Sequence, residues 1–93
     1  MSTIEAHAFL ATGTVQGVGF RAFTRSMCRT AGVSGWVRNR EDGAVEGVLQ
    51  GPAEAVYETL HLLQSGPPHA VVQSLDHKRV DLEDFTGFTI FRT

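Results

Sequence analysis

Between Ala8 and Ala31 the spacing of apolar residues changes from two to three and four across a pair of glycines. No other stretch narrows the possible folds as much. Phe9, Ala11, Gly13 and Val15 fall at every second position, with Ala8, Leu10 and Thr12 in between. That period belongs to a strand, and with both faces apolar it reads as a central, buried one. Gln16-Gly17-Val18-Gly19-Phe20-Arg21 holds two glycines and no alternation, so the chain leaves the strand in a loop. Phe20, Phe23, Met27, Cys28 and Ala31 then follow the spacing of one helix face, which predicts a helix over 21–31. Gly32 supplies its C-terminal stop. A strand that turns over two glycines straight into a helix commits the chain to a layered architecture of sheet and helix.

The remaining punctuation completes the plan. Residues 33–39 read as a second strand, in which Val33, Trp36 and Val37 favour extended backbone. Arg40-Glu41-Asp42-Gly43 is a turn with the Asp-Gly hairpin signal. Residues 44–50 form a third strand, with Val45, Gly47 and Leu49 on one face and Glu46, Val48 and Gln50 on the other. Gly51-Pro52 breaks the chain, and Pro52 is suited to start a helix. Val56, Leu60 and Leu63 give that helix its buried stripe, helped by Ala53 and Tyr57, and Gly66-Pro67-Pro68 ends it. Residues 70–80 read as a fourth strand, where Val72 and Leu75 break strict alternation and predict a bulge. Residues 81–86 are a loop, and 87–92 a last strand with Phe88 and Ile90 facing away from Thr89 and Phe91. The order is βαββαβ with the last β element split. It predicts an α+β, ferredoxin-like sandwich, two helices on one face of a mostly antiparallel sheet. At 93 residues the chain has room for one core, so residues 1–93 are expected to form a single domain.

Charge and composition exclude several function classes. Eight basic and ten acidic side chains leave a net charge of -2, which lends no support to binding nucleic acid or an anionic membrane. No apolar run approaches the ~20 residues of a bilayer span. The N-terminus lacks the basic and apolar regions of a signal peptide. A cytoplasmic monomer is expected. One cysteine cannot form an intramolecular disulfide, and Cys28, on the apolar side of its helix, reads as a core residue with an inert thiol. His7, His61, His69 and His77 are scattered without ligand spacing, so neither a zinc site nor any other cofactor is expected. Glu54 and Glu58 read as solvated helix charges, and Asp81, Glu83 and Asp84 as a solvated loop. Trp36 is either a surface stacking platform or part of the packing.

Two places carry chemistry. A glycine loop opening into a helix exposes backbone N–H groups without internal partners, and the helix dipole adds positive potential there. Gly17 and Gly19 allow successive amides to point into one concavity, and the guanidinium of Arg21 can grip two oxygens of the same anion. The loop is not a P-loop, because no Lys-Ser/Thr pair follows the glycines, and its glycine spacing is not that of a dinucleotide fold. Asn39, on the same strand face as Val37, either satisfies the turn or places a water molecule through its neutral amide.

Gly13-Thr14-Val15-Gln16-Gly17-Val18-Gly19-Phe20-Arg21 resembles the first signature of the acylphosphatases. Gly35-Trp36-Val37-Arg38-Asn39, with Gly43 to Gly47 and Gln50-Gly51-Pro52, resembles the second. Gly66-Pro67-Pro68 and the terminal Phe88-Thr89-Ile90 also fit, so the resemblance runs from about Ala8 to the end of the chain. It implies a small cytosolic hydrolase that splits the mixed anhydride of a carboxylic acid and phosphate without a metal. By the same resemblance Arg21 binds the phosphate and Asn39 orients the attacking water. The backbone of Gln16, Gly17, Val18, Gly19, Phe20 and Arg21 would form the cradle. In some relatives a small polar residue follows the asparagine; here it is Arg40, which either adds to the anion attraction or faces solvent.

Two other readings compete. Acylphosphatase-like domains also stand at the front of larger hydrogenase-maturation proteins that handle carbamoyl phosphate, where they would bind rather than hydrolyse. Those carry proline after the first signature, whereas here Ala22 follows Arg21, and this chain ends where the domain ends. Both points favour a free-standing enzyme. An RNA-binding domain of the same element order would carry aromatics on the outer face of its central strands. The third strand offers Ala44, Glu46, Val48 and Gln50 there.

Overall fold

The computed structural model describes residues 3–92. Its elements are β1 (Ile4–Thr14), α1 (Phe20–Ala31), β2 (Ser34–Asn39), β3 (Val45–Pro52), α2 (Ala53–Ser65), β4 (Val71–Val80) and β5 (Phe88–Phe91). The five strands form one sheet in the order β4-β1-β3-β2-β5. Neighbours are antiparallel except β2 and β5, which run parallel. The expected ferredoxin-like arrangement is present.

Alternation decides which side chains meet the helices. Phe9 and Ala11 of β1, Val37 of β2, Val45 and Leu49 of β3 and Phe88 of β5 are buried in a single core. Phe20 and Cys28 of α1 and Val56, Leu60 and Leu63 of α2 close it from the other side. Phe9 pairs with Gly47, where an added Cβ would stand 2.7 Å from the Phe9 ring and 2.3 Å from the Trp36 carbonyl oxygen. The ring therefore occupies space that only a glycine leaves free. The buried face of α1 runs through Phe20, Thr24 and Cys28, with Phe23 partly buried and Ala31 exposed. Thr24 is tolerated there because its hydroxyl donates to the Phe20 carbonyl at 2.8 Å.

Several boundaries differ from the sequence reading. β1 starts at Ile4, because Glu5 and His7 take inward positions that an apolar alternation does not mark. β3 does not break at Gly51-Pro52 but continues to Pro52, which pairs with Ile4. Pro52, at φ -54° and ψ 133°, is extended and caps α2 directly. Tyr57 lies outside the buried stripe; its hydroxyl donates to Glu5 Oε1 at 3.2 Å. The expected bulge is real: Thr12 pairs with Ser74 and Gly13 with Val72, leaving Gln73 as the extra residue. The β4–β5 connection is tied to the outer face by Gln50, which exchanges two hydrogen bonds with the backbone of Glu83 at 2.7 and 2.9 Å.

The histidines are not all scattered. His7 and His77 meet on adjacent strands with their Nδ1 atoms 3.1 Å apart, and His7 Nε2 lies 2.9 Å from Glu5 Oε1. Among the described residues no group of three or more His, Cys, Asp or Glu converges to hold a metal. The hydrogen bond from His7 is the main cause that holds the Glu5 carboxyl below its ordinary 4.5. Desolvation opposes the shift, and Tyr57 and the Arg79 charge add to it. A lowered carboxyl contributes stability that is complete above its unfolded value and lost as pH falls through the folded one. Urea unfolding of wild type and Glu5→Gln should therefore differ most near neutrality, with the gap closing below pH ~4. A gap that stays constant across that window would remove Glu5 from the acid response.

Candidate active site

The loop between β1 and α1 is anchored by Val15, which is buried in the core. Gly17 and Gly19 take left-handed φ of 74° and 80°, and a Cβ at either would meet nothing within 4 Å. Backbone conformation, not crowding, demands glycine at these two positions. Gly19 caps α1 without a side-chain hydrogen bond, and the first turn holds no acidic residue. The first helical bond runs from the Phe23 N–H to the Gly19 carbonyl at 2.9 Å. The amides of Phe20, Arg21 and Ala22 precede it and have no helical acceptor, and they lie at the positive end of the helix dipole.

Three other elements meet this loop. Gln16 turns its side chain away from the loop and donates to the carbonyls of Arg40 at 2.7 Å and Ala44 at 2.9 Å. It thus pins the glycine loop to the β2–β3 turn. Arg21, in the first turn of α1, donates from its guanidinium to the Phe91 carbonyl at 3.3 Å, linking the helix to the end of β5. Asn39 closes β2 on the inner side, two residues after buried Val37. Its Oδ1 is buried and has no hydrogen-bond partner. Such an atom costs about 1–3 kcal/mol of desolvation and points to a role beyond structure.

These elements surround one cleft of about 380 Å³. Gly17, Gly19, Phe20, Arg21 and Asn39 all line it. Gln16 and Val18 do not; Val18 packs against the core instead. Two lining residues, Arg25 and Arg92, were not singled out in the sequence. Arg25 stands one helical turn beyond Arg21, a spacing that could have marked it. Nothing local marks Arg92, which reaches the cleft only because β5 lies beside β2.

The remaining candidates fall elsewhere. Arg40 is absent from this cleft and pairs with Asp42 at 3.1 Å and Glu46 at 3.1 Å. The hydrogen bond to Asp42, then that to Glu46, raise its pKa further. Its charge is committed to the hairpin rather than to an anion in the cleft. Burial pushes the Cys28 thiol up to about 12, so it is a core residue and no thiolate nucleophile. Trp36 stands on the outer face with its ring 5.7 Å from that of Phe91 and 5.3 Å from the Arg38 guanidinium. The outer face thus carries an aromatic pair that the third strand alone did not reveal. Among the described residues no helix is long and apolar enough to cross a membrane.

Comparison with known proteins fits this geometry. The acylphosphatase family profile matches residues 7–90. An acylphosphatase of Roseiflexus sp. is 50% identical over 76 residues, 82% of this chain and 81% of its own length. An acylphosphatase structure from Coxiella burnetii superposes with a TM-score of 0.92 at 30% identity, covering 95% of this chain and 93% of that one. HypF from T. kodakarensis is similar at a TM-score of 0.86 and 25% identity, but the match spans only 12% of that chain. A profile spanning nearly all the described residues, together with a half-identical relative of similar length, assigns the chain to the acylphosphatase family.

Proposed function

We propose that this chain hydrolyses small acyl phosphates to a carboxylate and inorganic phosphate, with Arg21 and the loop amides holding the phosphoryl group and Asn39 positioning the water. The observation that carries the reading is the convergence of the left-handed glycine loop, Arg21 and the unpaired Asn39 amide on one cleft. The matched acylphosphatases of Roseiflexus and Natronomonas pharaonis are 50% and 45% identical and HypF 25%, which supports the enzyme over the binding domain of a larger maturation protein.

The chemistry asks little of acid–base groups. The water oxygen forms a bond to phosphorus in line with the bridging oxygen. The bond from phosphorus to that oxygen breaks, and its electron pair leaves with the carboxylate. A carboxylate leaves readily, since its conjugate acid has a pKa near 4–5. The water's proton passes to a phosphoryl oxygen, so no histidine or carboxylate base is required. What remains is to place the reactants and to spread the charge of the transferring group. Backbone amides and a guanidinium do this without reorganising. A reaction with this leaving group needs neither a Lewis acid nor a cofactor.

The test is hydrolysis of benzoyl phosphate with chelator present. Arg21→Ala should lower kcat/KM by ~10³-fold or more while circular dichroism stays native. Asn39→Ala should keep inhibition by inorganic phosphate and lose kcat; lost phosphate inhibition would overturn its water-positioning role. Gln16→Ala removes two hydrogen bonds between the loop and the β2–β3 turn. It should cost about 1–3 kcal/mol in urea unfolding and weaken phosphate inhibition. Unchanged inhibition would mean the cradle holds its shape without that tie.

A further inference from the structure

The cleft is larger and more positive than a phosphoryl group requires. A phosphoryl group with its bridging oxygen has five heavy atoms. At the ~30 Å³ that a water occupies in the liquid, it would fill roughly 150 Å³. The cleft measures about 380 Å³. Three of the chain's eight basic side chains line it, Arg21, Arg25 and Arg92, and no acidic one does. Of the five basic side chains elsewhere, three face acids, Arg38 at Glu46, Arg40 at Asp42 and Glu46, and Arg79 at Glu5, whereas no acid lines the cleft. Among the described residues Arg25 and Arg92 make no hydrogen bond or ion pair. Like charges one helical turn apart, as in Arg21 and Arg25, are unfavourable, and among the described residues no acid lines the cleft to offset that cost. A cleft lined by one sign of charge concentrates ions of the other.

On the reading that the cleft hydrolyses acyl phosphates, we infer that Arg25 and Arg92 form a second anion subsite. It selects substrates whose acyl part carries a carboxylate or phosphate of its own. The charges divide accordingly. The phosphoryl dianion takes Arg21, the loop amides and the helix end. Arg25 and Arg92 are left for the far end of the acyl chain, and Ile90 offers an apolar wall for the carbons between. Each guanidinium can give a carboxylate or phosphate two parallel hydrogen bonds.

Three chain-matched substrates test this: butyryl phosphate, succinyl phosphate and 3-phosphonopropionyl phosphate. In wild type the two anionic ones should exceed the neutral one in kcat/KM by about tenfold or more, as one charge-assisted contact implies. A greater gain for one of the two identifies the preferred anion. In the Arg25→Ala/Arg92→Ala double variant that preference should vanish, the three substrates falling to a common kcat/KM. Equal rates on all three substrates in wild type, or a preference that survives in the double variant, overturns the subsite. Calorimetry separates this from failure of the hydrolase reading. The non-hydrolysable 4-oxo-5-phosphonopentanoate should bind wild type more tightly than 2-oxopentylphosphonate, and the double variant should bind them alike. That binding difference without turnover of any acyl phosphate would keep the subsite and sink the enzyme. No binding difference in wild type would overturn the subsite whatever the turnover.

Discussion

The pairing of Phe9 with Gly47 is the contact on which the rest of this molecule depends. Strand side chains alternate with a period of two, so a slip of one residue would send every inward side chain of β1 to the outer face. Phe9 can lie inward only where β3 offers no side chain, and Gly47 is that place. With this register set, Ala11 faces the core, Val15 is anchored at the strand's end, and the glycine loop begins from a fixed point. The same register sets Val45 and Leu49 inward on β3 and, through the β2–β3 pairing of Asn39 with Val45, fixes where Asn39 ends. Core packing and site geometry are thus two readings of one alignment.

The cleft is assembled from ends rather than from any one element. The loop leaves β1, Arg21 opens α1, Asn39 closes β2, and Arg92 follows β5. Separate ends hold a geometry only if something ties them. Gln16 supplies one tie, from the loop to the carbonyls of Arg40 and Ala44. Arg21 supplies another, to the Phe91 carbonyl, so the proposed phosphate ligand is itself held where β5 finishes. Its orientation is set partly by a backbone acceptor, which leaves the rest of the guanidinium's donors for an anion. Committing Arg40 to Asp42 and Glu46 serves the same end by keeping the hairpin's acids occupied.

Much of this was legible in the sequence, and the exceptions share a cause. The period change over Gly17 and Gly19, the Asp-Gly hairpin and the broken alternation before Leu75 are local signals, and each appears where local chemistry put it. The reading failed where the reason is not local. Glu5 and His7 face inward because Tyr57 and His77 await them, and those partners lie 52 and 70 residues away in the chain. β3 runs on through Pro52 because β1 provides a partner in Ile4. Val48 is buried on the outer face, between Ala8 of β1 and Trp36 of β2. Arg92 could not be seen at all, since only the parallel pairing of β5 with β2 brings it to the cleft.

The distribution of charge bears on why so small a fold can host phosphoryl chemistry. The chain is net negative, yet its cleft is lined by arginines alone among charged residues. None of the acids lines the cleft, and Asp42, Glu46 and Glu5 pair with arginines away from the glycine loop. Burying a charged catalytic base in the core would cost several kcal/mol of desolvation. Amides at a helix start carry partial charge that the backbone already provides, and guanidiniums at a cleft wall stay partly solvated. A reaction whose leaving group needs no proton is therefore well matched to a fold of this size. It asks for placement and positive potential, and those come from loop geometry and from where the acids have been put.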